Sequence, residues 1–173
     1  MRAIALGFCL FAAACSGQVL DSPTSPSVAA VAPGQTHAVA GTQLPFKGTI
    51  SGTTTAAIDF PALTIFSEGE GVASHLGRFK ASSVNAGFLG NPETSGTWKF
   101  TAANGDTLAA TIHSVADPRG PLSSEVTTEA TIVEGTGRFA GASGTFTVVF
   151  LEDHSNVPGV FSGSFEGHIN LNR

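Results

Sequence analysis

Tyrosine is absent from these 173 residues, and tryptophan and methionine occur once each. Cysteine occurs twice, at Cys9 and Cys15, and only 12% of the chain is charged. Each shortage removes a class of protein. An outer-membrane barrel carries girdles of Tyr and Trp at both lipid–water boundaries, which this composition cannot supply. Eight Lys and Arg, scattered singly against thirteen Asp and Glu, leave a net charge of −5. That balance argues against a basic nucleic-acid footprint and against electrostatic membrane attachment. The five histidines, His37, His75, His113, His154 and His168, include no His-x-His or His-x-x-x-His pair, so neither a zinc site nor any other metal site is expected. No Gly-x-Ser-x-Gly elbow and no P-loop occurs, and Gly135-x-Gly137-x-x-x-Gly141 is one residue too long for a dinucleotide fingerprint. No catalytic residue and no cofactor is therefore assigned.

What is present begins with a leader. Met1-Arg2 is a minimal positive start, and Ala3–Phe11 is an apolar run too short to span a bilayer. Ala12-Ala13-Ala14 offers small residues for cleavage just before Cys15. The expectation is a signal peptide over 1–14 of the bacterial lipoprotein type, with Cys15 as the lipid-attachment residue. Ala12 stands where the lipobox pattern wants Leu, and Ala12-x-Ala14 equally suits ordinary secretory cleavage. Either route exports the protein, to the cell envelope as a lipoprotein or as a soluble secreted chain. Cleavage removes Cys9 and leaves Cys15 as the only thiol, so no internal disulfide can form. Residues 15–43 contain three prolines, many small residues and a single charge at Asp21, which reads as a flexible, disordered tether.

From Leu44 to Arg173 the pattern has a period of two. Phe46 to Gly52 alternates apolar or Gly with polar residues, as in a half-buried strand. Leu63–Phe66 reads as a short strand opened by Pro61. Gly71–Val84 reads as a strand or strand pair whose phase breaks near Gly77, suggesting a bulge or bend. Gly96–Phe100 and Thr107–His113 form a hairpin, with Asn104-Gly105 suited to a two-residue type I′ turn. Asp117–Pro121 is a loop by composition. Val126–Ile132, Phe146–Phe150 and Phe161–Leu171 complete the set. In the last run Phe161, Gly163, Phe165, Gly167, Ile169 and Leu171 share one face. Alternating Phe with Gly suits a tightly curved sheet. With no amphipathic helix in sight, the fold class is all-β: one closed antiparallel barrel of about eight strands, of the calycin-like kind.

Between two of these runs lies Gly135-Thr136-Gly137-Arg138-Phe139-Ala140-Gly141-Ala142-Ser143-Gly144. Gly135, Gly137, Gly141 and Gly144 read as a structural crossing, and Phe139 as the aromatic that pins it under the sheet. This core resembles the corresponding segment of allene oxide cyclase-like and dirigent-like proteins. Gly71–Phe79 is also similar to a stretch found in bacterial members of that barrel superfamily. The resemblance implies an eight-stranded barrel with an interior able to hold an apolar molecule. Plant relatives cyclise an epoxy fatty acid or steer phenoxy-radical coupling, but no pocket residue of theirs matches a motif here.

His75 and Arg78 fall at the phase break and are the candidate ligand-binding pair, one of them turning inward to hold a carboxylate. Three functions remain open. The first is non-catalytic binding of a small apolar ligand, or an envelope interaction role, with the membrane reached only through the N-terminal lipid. The second is a cyclase or isomerase acting on a fatty-acid-like or phenolic substrate. The third is a structural protein whose barrel is filled. The shape of the interior discriminates among them.

Overall fold

Alternation at period two runs almost unbroken from Gln43 to Asn170, and the backbone answers it with eight antiparallel strands closed into a barrel. The structure, a computed structural model, describes residues 42–172. The leader, Cys15 and the tether as far as residue 41 lie outside the described residues. The strands are β1 (Gln43–Asp59), β2 (Ala62–Ala73), β3 (Gly77–Phe88), β4 (Glu93–Ala102), β5 (Thr107–Gly120), β6 (Ser123–Gly135), β7 (Ser143–Asp153) and β8 (Gly159–Asn170). Each pairs with the next, and β1 closes the ring against β8 from Gln43↔Asn170 to Thr54↔Gly159. A closed ring removes the edges that a Thr- and Val-rich sheet would otherwise expose.

Glycines and phenylalanines meet directly across neighbouring strands. Gly48 is registered with Phe165, Gly71 with Phe79, Gly163 with Phe150, and Gly167 with Phe146. A Cβ at Gly48 would come within 2.6 Å of the Phe165 ring, and one at Gly71 within 2.7 Å of the Phe79 ring. Each ring thus lies over the space its glycine partner leaves, which lets the sheet bend sharply without a void.

The two ends of the barrel differ. At one end the turns Ser74–Leu76, Ala103–Asp106 and Thr136–Ala142 close over a core of Phe46, Phe79, Phe100, Phe146 and Phe165. Phe46 and Phe100 are 0% exposed, and ring centroids in this cluster lie 5.1–6.2 Å apart. Leu76 and Phe139 plug the same end. Arg138 latches it: its Nη2 donates to the Leu76 carbonyl at 3.0 Å, and its guanidinium lies 4.9 Å from the centroid of the Phe139 ring. At the other end the β1–β2, β3–β4, β5–β6 and β7–β8 connections surround an open mouth.

Of the alternatives for Gly71–Val84 the strand pair holds, and its phase break near Gly77 is the β2–β3 turn rather than a bulge. Three local expectations need correction. β2 is a full strand rather than the short Leu63–Phe66 segment. Asn104-Gly105 belongs to a three-residue loop. Gly105 N–H bonds to the Ala102 carbonyl, Ala102 N–H bonds to the Asp106 carbonyl, and only Gly105 has positive φ. That is a type I turn closed by a left-handed glycine. Asp117–Gly120 continues β5, with Pro118 registered with Ser124. There β5 has outrun β4, whose pairing ends at Val115, and an edge position tolerates a proline.

Candidate functional site

On several strands the inward phase turns small or polar as it nears the mouth. On β3 it runs Phe79, Ala81, Ser83, Asn85; on β5, Ile112, Ser114, Ala116; on β7, Phe146, Val148, Phe150, Glu152. The result is a pocket of about 50 Å³ with Trp98, Phe150 and Phe161 among its walls and Ser67, Ser83, Asn85, Thr94, Ser114, Thr128 and Glu152 as its polar groups. Ser114 and Thr128 satisfy each other at 2.8 Å. Asn85 Oδ1 is buried and has no hydrogen-bond partner among the described residues. A buried acceptor left unpaired costs free energy that a donor-bearing ligand would recover.

A second space adjoins the first. Beyond Thr54 the end of β1 pairs only with β2, which opens a groove between it and the β7–β8 connection. This groove, about 400 Å³, is lined by Thr55, Ala56, Leu63, Ile65, Glu152, His154, Val157 and neighbours. A narrow nook of mixed lining and a wider, largely apolar groove therefore share Ile65 and Glu152 as a common border.

Glu152 sits at the junction. Its side chain is 14% exposed, and Oε2 lies 3.3 Å from His154 Nε2. Burial holds this carboxyl above the usual carboxylate range, and the attraction and hydrogen bond of His154 offset that only in part. A carboxyl whose pKa rises on folding stabilises the fold below its unfolded pKa. That contribution disappears as pH climbs through the raised folded value. Replacing Glu152 by Gln should therefore raise the melting temperature by a few degrees at pH 7, and the gain should vanish below about pH 4. Melting curves across that range check it, and a gain independent of pH would exclude the ionised carboxylate as the cause.

His75 and Arg78 are not brought to this pocket. His75 occupies the left-handed position of the β2–β3 turn, φ 65°, with Nε2 3.1 Å from the Pro45 carbonyl. Arg78 is exposed on the outer face of β3, out of phase with buried Phe79. Both stand at the closed end, because the irregularity that singled them out is a turn between strands. Phe139 is fully buried, and Gly137, Gly141 and Gly144 have φ of 56°, 70° and 144°. At Gly135 the Phe139 backbone packs where a Cβ would stand. Cys15 lies outside the described residues. Among the described residues no three His, Cys, Asp or Glu come together as metal ligands.

The sequence reading passed over Glu152 and Asn85. Both continue an inward phase: Glu152 follows Phe146, Val148 and Phe150 at steps of two, and Asn85 follows Phe79, Ala81 and Ser83. Extending the alternation into the polar strand ends would have found them.

No family model matches the sequence, and no curated protein does. Among solved structures, the chain is similar to one described as the pterocarpan synthase dirigent protein GePTS1. The two share 14% identity with a TM-score of 0.55, over 84% of this chain and 100% of that one. At that identity the likeness concerns architecture, and the barrel described above is a dirigent-like eight-stranded fold.

Proposed function

We propose that this barrel is a non-catalytic binder of a small amphipathic molecule, held with a hydroxyl-bearing end in the nook and an apolar body along the groove. The observation that carries this reading is the buried, unpartnered Asn85 Oδ1 in the wall of a small cavity that borders an apolar groove. Asn85 would accept from the ligand hydroxyl, Trp98 and Phe150 would contact its adjoining apolar part, and Ile65, Leu63 and Val157 would cover the rest. The structural neighbour is described both as a pterocarpan synthase and as a dirigent protein, a name that supports a small organic molecule in the barrel under this reading and under the enzymatic one below. Export, with Cys15 as a lipid anchor, belongs to the same proposal. It is supported by the leader and the small residues before Cys15, and the mass of the mature N-terminus tests it.

The sole tryptophan lines the pocket, so its fluorescence reports occupancy. Titration with 4-propylphenol and with 1-octanol should give a saturable change in Trp98 emission for at least one of them. Asn85→Ala should weaken binding about tenfold, the equivalent of one hydrogen bond of about 1.4 kcal/mol. No saturable signal, or equal affinity in the variant, would overturn the assignment.

A second reading, a cyclase- or isomerase-type enzyme, has one observation of its own. Glu152 on β7 and Asn85 on β3 stand four strands apart in an eight-stranded ring, on opposite walls. A buried carboxyl with a raised pKa suits proton transfer. Under that reading Glu152→Gln would abolish turnover of a bound substrate without weakening its binding.

A further inference from the structure

The connections at the mouth carry large apolar side chains that point into water. At the end of β1 Ile58 is 62% exposed and on the β1–β2 connection Phe60 is 82%; at the end of β3 Phe88 is 58% and on β3–β4 Leu89 is 41%; on β5–β6 Leu122 is 55%; on β7–β8 Val157 is 95%. All four connections at this end contribute, and the turns at the closed end contribute none. Other exposed apolar residues, Val72 and Val133 among them, lie along the outer faces of the strands, which is ordinary, whereas a set gathered on the connections around one opening marks a contact surface.

The connections are also tied to one another. Leu89 N–H donates to the Pro61 carbonyl at 3.0 Å, Ala116 N–H to Pro92 at 3.0 Å, and His154 N–H to Leu122 at 2.8 Å. These bonds link the β1–β2 connection to β3–β4, β3–β4 to β5, and β5–β6 to β7–β8. The apolar tips therefore stand as a positioned crown around the opening.

We propose that this crown docks the barrel, mouth first, on the headgroup–acyl boundary of a neutral, zwitterionic phospholipid surface. Two observations choose this occupant. Asp59, Glu93 and Asp153 stand at the same end. Arg119 is already paired with Asp117 at 3.2 Å and Glu125 at 2.7 Å. Two mouths face to face would oppose these acids, so a second copy is disfavoured, and an anionic lipid surface is disfavoured for the same reason. The tips also stand on separate hairpins around an opening rather than on one flat face. A fluid lipid boundary admits each tip individually, whereas a folded partner would have to fill the mouth to cover them all. This surface shares Val157 with the groove, but docking does not require the pocket behind it to hold a ligand.

The test uses the mature chain that begins at position 15 and carries Cys15→Ser, which leaves neither leader nor acyl anchor, mixed with vesicles of phosphatidylcholine brominated on the acyl chain. Phe60→Trp, placed in this background, should be quenched on vesicle addition, whereas Val133→Trp, on the side of the barrel, should not. The Phe60→Asp/Val157→Asp double variant changes only exposed positions and should keep the parent melting temperature while partitioning at least tenfold less. Adding phosphatidylserine should not strengthen binding, and raising salt should not weaken it. Equal quenching at both tryptophan positions, unchanged partitioning of the double variant, or a doubling of mass in lipid-free solution that the double variant abolishes would each overturn the proposal.

Discussion

Replacing Phe100 by alanine should cost about 3–5 kcal/mol of stability, the largest effect expected from any single truncation in the barrel. Phe100 is 0% exposed, and its ring lies 5.4 Å from Phe79, 5.4 Å from Trp98, 5.9 Å from Phe146 and 6.2 Å from Phe165. It sits where the filled half of the barrel meets the pocket, touching rings from β3, β4, β7 and β8 at once. Its loss leaves a space that these rings cannot collapse into, because each is fixed on a separate strand of a closed ring. For a domain of this size the melting temperature should fall on the order of 10–20 °C. Thermal and urea melts measure the loss. Phe88→Ala is the control: that side chain is 58% exposed on the outer surface, and its removal should stay within about 0.5 kcal/mol. A loss at Phe100 no greater than at Phe88 would mean that the interior is not packed as described.

The second large effect comes from adding one carbon. Gly71→Ala places a Cβ against the Thr49 carbonyl oxygen and 2.7 Å from the Phe79 ring tip. The ring can turn aside, but the carbonyl belongs to the backbone of β1, so the strands themselves must part. The expected cost is about 2–3 kcal/mol. Shrinking the ring in the same chain, Gly71→Ala with Phe79→Leu, should not restore stability, since the backbone contact survives. Gly90→Ala separates space from dihedral preference. Nothing lies within 4 Å of a Cβ there, but φ is 84°, so its cost should be about 1–2 kcal/mol. Denaturant midpoints for the three variants rank these terms directly. Full recovery in the double variant would assign the clash to the ring alone.

The barrel was legible because its chemistry alternates wherever a strand is half buried. Phe161, Phe165 and Ile169 repeat at intervals of four with Gly163 and Gly167 between them, and only an inward face that must curve explains both residue types. The pocket was harder to read for a related reason. Near the mouth the interior becomes polar, so Ser83, Asn85, Ser114 and Glu152 look like outward-facing residues when judged by type, although their phase is inward. His75 and Arg78 attracted notice for the opposite reason. A break in alternation looks the same in sequence whether the chain bulges within a strand or reverses between two, and only the pairing of Ala73 with Gly77 decides for reversal. The crown was hidden because loops carry no period: nothing in Phe60, Leu122 or Val157 taken singly says that they gather at one rim. Cross-strand register, which places them there, is a property of the closed ring as a whole.

The pairing of Gln43 with Asn170 gives the barrel a direction. The described chain enters and leaves on the side away from its opening. A bead, a fluorophore or a solid support attached directly beside Gln43 or Asn170 would therefore leave the opening unobstructed. Held at one surface in this way, a barrel offers its rim to whatever stands opposite.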